Sequence, residues 1–212
     1  MSPYPILYYI IGLDLGRDRD HSAIAVMAIR RENAGPFNHA THSQPTRPYL
    51  SLGALQRIPL GTEYTEVVAI LRQIVSRLHS AADPYARPVR IVIVVDAAGP
   101  GQVVMELLRA ARMDAQVIPA VLSSGFEPGH TPAGKVTIPR RQLVSQLRYL
   151  LETETLRLNE GLFHLGDLEE EIAALRPEGG QTEHDDLAIA LGLGVWQASK
   201  VFPDLIQVDR AA

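Results

Sequence analysis

The chain has 212 residues, 46% of them hydrophobic and 21% charged, which suits one globular unit with a sizeable core and excludes a chain disordered throughout. Twenty Lys and Arg against 24 Asp and Glu leave a net charge of −4, so the overall balance carries no basic footprint for nucleic acid, although a local patch is compatible with it. The absence of cysteine excludes a disulfide framework, a thiolate zinc site and a cysteine nucleophile.

The apolar stretch YPILYYIIGL near the start has no basic residues before it and runs into Asp14, unlike a targeting segment. The run LAIALGLGVW (187–196) is about half the roughly 20 residues that a membrane span takes. The expectation is a soluble protein with no membrane partner and a single domain over residues 1–212.

In chain order, ILYYIIGLDLG (6–16) and HSAIAVMAIRR (21–31) read as strands joined by a short loop, and a polar loop (32–47) leads to a third strand, YLSLGALQRIP (49–59). Val67, Ile70, Leu71, Ile74, Val75 and Leu78 recur at helical spacing between Glu63 and Ser80, with Thr62 as the expected N-cap and Asp83-Pro84 as the stop. VRIVIVVDAAG (89–99) carries five consecutive apolar residues, the mark of a strand buried on both faces. A helix (102–113) and a strand (115–122) follow. Right-handed crossovers would set the fourth strand parallel to the first and beside it. Beyond a Gly/Pro loop (124–134), KVTIP reads as extended, Arg140 to about Glu154 as a helix, LFHL (162–165) as a short apolar piece and LEEEIAALR (168–176) as a short helix. The last helix starts around His184 to Asp186 and runs through DDLAIALGLGVWQASK, with acids at the positive end of its dipole.

Asp14 closes one apolar strand, Asp96 closes the most apolar strand, and Asp185 with Asp186 opens an apolar helix. Singly, each has a plain structural reading as a turn or capping residue. Together, on parallel neighbouring strands, Asp14 and Asp96 would leave the same edge of the sheet, where open α/β sheets place their sites. Converging carboxylates repel one another unless cations lie between them. Hard oxygen donors suit Mg²⁺ or Mn²⁺, and two such ions can stabilise the attacking and leaving oxygens of phosphodiester cleavage.

The stretches IGLDLGRDRDHSAIAVM, VVDAAGPGQVVMELL and HDDLAIALGLGVW, with TIPRRQLVSQLRYLLETETLRL (137–158) between the last two, resemble the C-terminal nuclease domain of phage large terminase subunits. That resemblance implies an RNase H-like fold shared with RuvC-type resolvases: a mixed five-stranded sheet, three antiparallel strands and then parallel ones, flanked by helices. It implies a metal-dependent endonuclease with Asp14, Asp96 and Asp186 as ligands and Asp185 as a further ligand or supporting acid, two Mg²⁺ or Mn²⁺ ions and double-stranded DNA as substrate. Asp20 matches another acidic position of the family. Which of Asp185 and Asp186 points inward stays open, because neighbouring helix residues are about 100° apart. The chain departs from a complete large subunit in having no room for the ATPase motor. A separately encoded motor, a small terminase subunit or a portal are therefore the expected partners, in a bacterial host cell.

GHTPAGKV (129–136) has the spacing of a phosphate-binding loop but the wrong context: Val136 stands where Ser or Thr must reach Mg²⁺, and VTIP follows instead of a helix. Lys135 is read as a phosphate contact or a solvated charge. Arg17 and Arg19 after the first strand, and Arg140 and Arg141 at a helix start, are candidate DNA contacts, with solvated surface charge as the plain alternative. His184 beside the Asp pair is a candidate for assisting the attacking water. Three other readings stand beside the nuclease: a RuvC-type junction resolvase, a non-catalytic DNA-binding or assembly module, and an actin-like ATPase fragment suggested by GLDLG, for which the chain lacks a second domain.

Overall fold

The computed structural model describes residues 4, 6, 8–16, 20–82, 88–98, 101–178 and 185–206. Arg17, Arg19, His184 and the Asp83-Pro84 helix stop lie outside the described residues. The strands are β1 (Tyr8–Asp14), β2 (Ser22–Asn33), β3 (Thr46–Ile58), β4 (Arg90–Asp96), β5 (Gln116–Ser123), β6 (Gly129–His130), β7 (Val136–Pro139) and β8 (Leu156–Leu158). The helices are α1 (Tyr64–Ser80), α2 (Gly101–Ala110), α3 (Arg140–Glu152), α4 (Leu165–Ala174) and α5 (Asp186–Val201).

All eight strands form one sheet in the order β6-β7-β5-β4-β1-β2-β3-β8. β1, β2 and β3 are an antiparallel meander, and β4 lies parallel to β1, as the crossover argument requires. β5 and β7 continue in parallel on the β4 side. The five-stranded expectation is thus too small. β6 has two residues and β8 three, too short to leave a period in sequence. β6 exists because Gly134, at φ 77°, turns the chain back so that His130 pairs with Val136. The GHTPAGKV string is therefore a hairpin and holds no helix for a phosphate. β8 adds to the outer edge of β3, led by the Leu50 amide donating to the Thr155 carbonyl at 2.7 Å.

Side chains alternate across the sheet, so each strand feeds two cores. Ile11, Leu13, Ile91, Ile93 and Val95 face α1 and α2, joined by Val67, Leu71, Val104 and Leu108. Ile10, Met27, Val92 and Val94 face the other layer, joined by Leu143 and Leu147 of α3 and by Leu187, Leu191 and Trp196 of α5. α5 is buried almost along its full length, which explains a sequence apolar on every side. It packs onto β1 with almost no spacer: a Cβ built on Gly12 would overlap the carbonyl oxygen of Ala190. Thr62 is not the N-cap of α1. Glu63 holds that position without a side-chain cap, and the Thr62 hydroxyl donates to the Pro59 carbonyl at 2.7 Å, closing the preceding turn. LFHL lies in the turn leading into α4, with Phe163 91% exposed. Among the described residues no helix is long and apolar enough to cross a membrane.

Candidate active site

Alternation decides where the acids point. Ile10 and Gly12 face α5, so Asp14 faces it too; Val92 and Val94 belong to the same layer, so Asp96 does likewise. Leu13 is in register with Val95, which brings Asp14 and Asp96 to the ends of neighbouring parallel strands. The loop after Asp14 is closed by Ser22, whose hydroxyl donates to the Gly16 carbonyl at 3.0 Å and accepts the Gly16 amide at 3.2 Å. The close seat of α5 on β1 then delivers Asp185 and Asp186, at the helix N-terminus, to the same edge.

The electrostatics record the convergence. Burial, followed by the charges of Asp96, Asp185 and Asp186, pushes the Asp14 carboxyl well above the usual carboxylate range, with the Leu15 amide alone opposing among the described residues. Asp96 is raised by burial, against the pull of the Ala98 amide at 2.9 Å and of Lys135 and Arg140. The Lys135 ammonium donates to the Ala97 carbonyl at 2.7 Å, so it stands at the rim beside Asp96.

Two arginines divide the Asp185–Asp186 pair between them. Arg140, at the start of α3, donates to Asp185 and to the Arg176 carbonyl. Arg57, on β3, donates from Nε to Asp186 at 3.0 Å, from Nη1 to Asp167 at 3.3 Å, and from Nη2 to Glu171. Glu171 and Asp186 are both buried, and the second oxygen of Glu171 accepts the Ala188 amide in the first turn of α5 at 2.8 Å. Burial raises the Glu171 carboxyl, opposed by that amide and by Arg57. Burial also works against the Arg57 charge, but Asp186 and the other two acids outweigh it and raise its pKa.

The plain capping reading of Asp185 fails, since it stands at the N-cap position but makes no side-chain cap bond. Asp96 does make a local turn bond, to Ala98, in addition to joining the cluster. Asp20 is exposed in the loop before β2 and is not among the charges that act on Asp14. Arg141 stacks its guanidinium 3.9 Å above the ring of Phe126, which is 73% exposed. Arg140, Arg141, Ser123 and Ser124 line a cleft of about 250 Å³, linked to the acids through the bond from Arg140 to Asp185.

Sequence reasoning missed Arg57 and Glu171. Glu171 had a signal: it stands at helical spacing between Leu168 on α4 and Leu175 just after it, both buried, where an acid has no reason to stand alone. Arg57 had none. Leu50 and Leu52 face the α5 layer, and strict alternation would turn Arg57 away from it; the irregularity opposite Val26 and Met27 inserts Gly53 and shifts the parity, so Leu55 and Arg57 face inward.

The donor chemistry fits hard divalent cations: carboxylate oxygens on rigid elements, with Asp14 facing three other acids and, among the described residues, no Lys or Arg acting on it. The side chains are not already closed into an ion cage; among the described residues no three acids or histidines stand so. Asp185 and Asp186 instead each turn an oxygen to an arginine.

No protein-family model matches the sequence, and no curated protein does. Solved structures do. The human cytomegalovirus terminase nuclease domain, soaked with Mn, is 14% identical over 97% of this chain and 89% of that one, with a TM-score of 0.57. The large terminase nuclease from thermophilic phage G20c with bound zinc is 20% identical over 92% and 83%, with a TM-score of 0.49. The large terminase nuclease domain of bacteriophage SPP1 with bound Mn is 12% identical over 90% and 86%, at 0.47. The chain has the RNase H-like fold of the terminase nuclease domains.

Proposed function

We propose that this chain is a metal-dependent endonuclease that hydrolyses DNA phosphodiester bonds, with Asp14, Asp96 and the Asp185–Asp186 pair as the groups that hold Mg²⁺ or Mn²⁺. One observation carries the reading. Asp14 is buried within reach of the charges of three other carboxylates, and nothing in a folding role repays that repulsion. Bound divalent cations would neutralise the cluster, lower the pKa of an attacking water and stabilise the leaving oxygen. The chain supplies the positioning: Asp14 and Asp96 sit on two hydrogen-bonded strands, and Asp185 and Asp186 on a helix seated against them. Lys135, Arg140 and Arg141 supply positive charge along the rim, where a DNA backbone would lie. Likeness to terminase nuclease domains supports cleavage during viral DNA packaging, with a motor, a small subunit or a portal as partners and the host cytoplasm as setting. His184, Arg17, Arg19 and Asp20 keep the auxiliary roles expected of them from sequence.

The test is cleavage by the purified chain in Mn²⁺, Mg²⁺ or EDTA, on supercoiled plasmid, linear duplex and a four-way junction. Metal-dependent nicking that Asp14→Ala and Asp96→Ala abolish, with circular dichroism unchanged, supports the assignment. Selective cutting of the junction would move it to the resolvase class. Wild-type chain that neither binds Mn²⁺ in calorimetry nor cuts any substrate would leave a non-catalytic module.

A further inference from the structure

We infer that Arg57 is a positioning residue that acts as the resident counter-charge of the acidic site, sharing Asp186 with the cations and so limiting how tightly they bind. The inference rests on the metal-dependent reading above and goes beyond it, since neither the fold nor the four aspartates call for an arginine there.

The geometry sets Arg57 apart from a surface ion pair. Its three nitrogens go to three acids on two helices: Asp186 at the start of α5, and Asp167 and Glu171 on α4. The guanidinium is largely enclosed, its side chain 19% exposed, and both Glu171 and Asp186 are 6% exposed. Such a fork matches several carboxylates at fixed angles in a way that a lysine ammonium does not. Glu171 ties the assembly to α5 through the Ala188 amide, so Arg57 fixes the helix start as well as the carboxylate. One oxygen of Asp186 is committed to Arg57, and a cation at Asp14 meets a carboxylate whose charge is already partly offset.

A residue that only braced the fold would change stability without changing metal affinity. A counter-charge makes a different, signed prediction. Mn²⁺ affinity of the full chain is measured by calorimetry, with plasmid nicking and metal-free thermal stability in parallel. Arg57→Ala removes the competing charge, so Mn²⁺ is expected to bind at least about tenfold more tightly, a lower bound for one charge acting across a few ångströms of partly buried protein. Nicking is expected to slow at saturating metal, because Asp186 loses its orientation. Arg57→Lys restores charge without the fork, so affinity returns towards wild type while nicking stays slow. Glu171→Gln leaves the Arg57 charge less compensated, so Mn²⁺ binds more weakly.

Unchanged or weaker affinity in Arg57→Ala overturns the inference, as does tighter binding in Glu171→Gln. Where Arg57→Ala does not fold, Glu171→Gln carries the test: weaker Mn²⁺ binding than in wild type and in Arg57→Lys supports the inference, and unchanged or tighter binding overturns it. Wild-type chain that binds no Mn²⁺ overturns the metal-dependent reading and this inference with it, an outcome distinct from normal binding that is indifferent to Arg57.

Discussion

Gly12 and Ala190 meet backbone to backbone: the missing side chain of Gly12 leaves room for the Ala190 carbonyl, and α5 rests directly on β1 two residues before Asp14. A methyl group there has no flexible neighbour to displace. Gly12→Ala must push the helix off the strand, so a loss of about 3 kcal/mol or more is expected, at the upper end for overpacking. The shift would also carry Asp185 and Asp186 away from Asp14. Thermal denaturation followed by Mn²⁺-dependent nicking of any folded fraction checks both consequences; a variant with wild-type stability and activity would show that the contact does not position the site.

Asp14→Asn should separate stability from activity. Because the folded Asp14 carboxyl is raised, chiefly by burial and then by three acids, the unfolded chain releases its proton first as pH rises. The penalty on the metal-free fold is absent below the ordinary carboxylate pKa of about 4 and grows as pH climbs towards the raised value. In EDTA at neutral pH, Asp14→Asn is expected to melt above wild type by roughly 2–4 °C for each kcal/mol relieved, with the gap closing near pH 4. Nicking should vanish, and Mn²⁺ should no longer raise the melting temperature as it does for wild type. A variant less stable than wild type at pH 7 in EDTA would contradict the proposed repulsion.

Glu171 tests the brace from the other helix. Glu171→Ala strips the buried Ala188 amide of its partner and leaves Arg57 short of a carboxylate. Each loss of that kind costs about 1–3 kcal/mol. The melting temperature should fall by several degrees, and amide exchange should rise first in the opening turn of α5; unaltered protection there would remove Glu171 from the account of how Asp186 is held.

The difference between what the sequence could and could not reveal follows from the range of the signals. Asp14 and Asp96 were legible because each ends a strongly apolar strand, and the parallel pairing of those strands follows from crossover handedness. The Asp185–Asp186 pair was legible as acids opening a buried helix. Its inward member was not, and the structure shows why the question was posed too narrowly: both act on Asp14, one held by Arg140 and the other by Arg57. Arg57 depends on one inserted residue, Gly53, that reverses the facing of the strand end. No local period contains that information. The short strands β6 and β8 escaped for a related reason, since pairing with an existing edge, and not their own pattern, makes them strands.

Arg141 provides the test of the DNA-facing rim. Unlike Arg140, which is engaged with Asp185, it lines the cleft with its guanidinium stacked on an exposed ring. Arg141→Ala is therefore expected to change stability by less than about 0.5 kcal/mol. If its guanidinium meets a phosphate, duplex binding measured in EDTA should weaken similarly for all sequences, and the slope of log affinity against log salt should fall by about one. Phe126→Ala should leave that slope unchanged, because the ring carries no charge to exchange for counterions. Full affinity and an unaltered salt slope in Arg141→Ala would place the DNA path elsewhere along the edge.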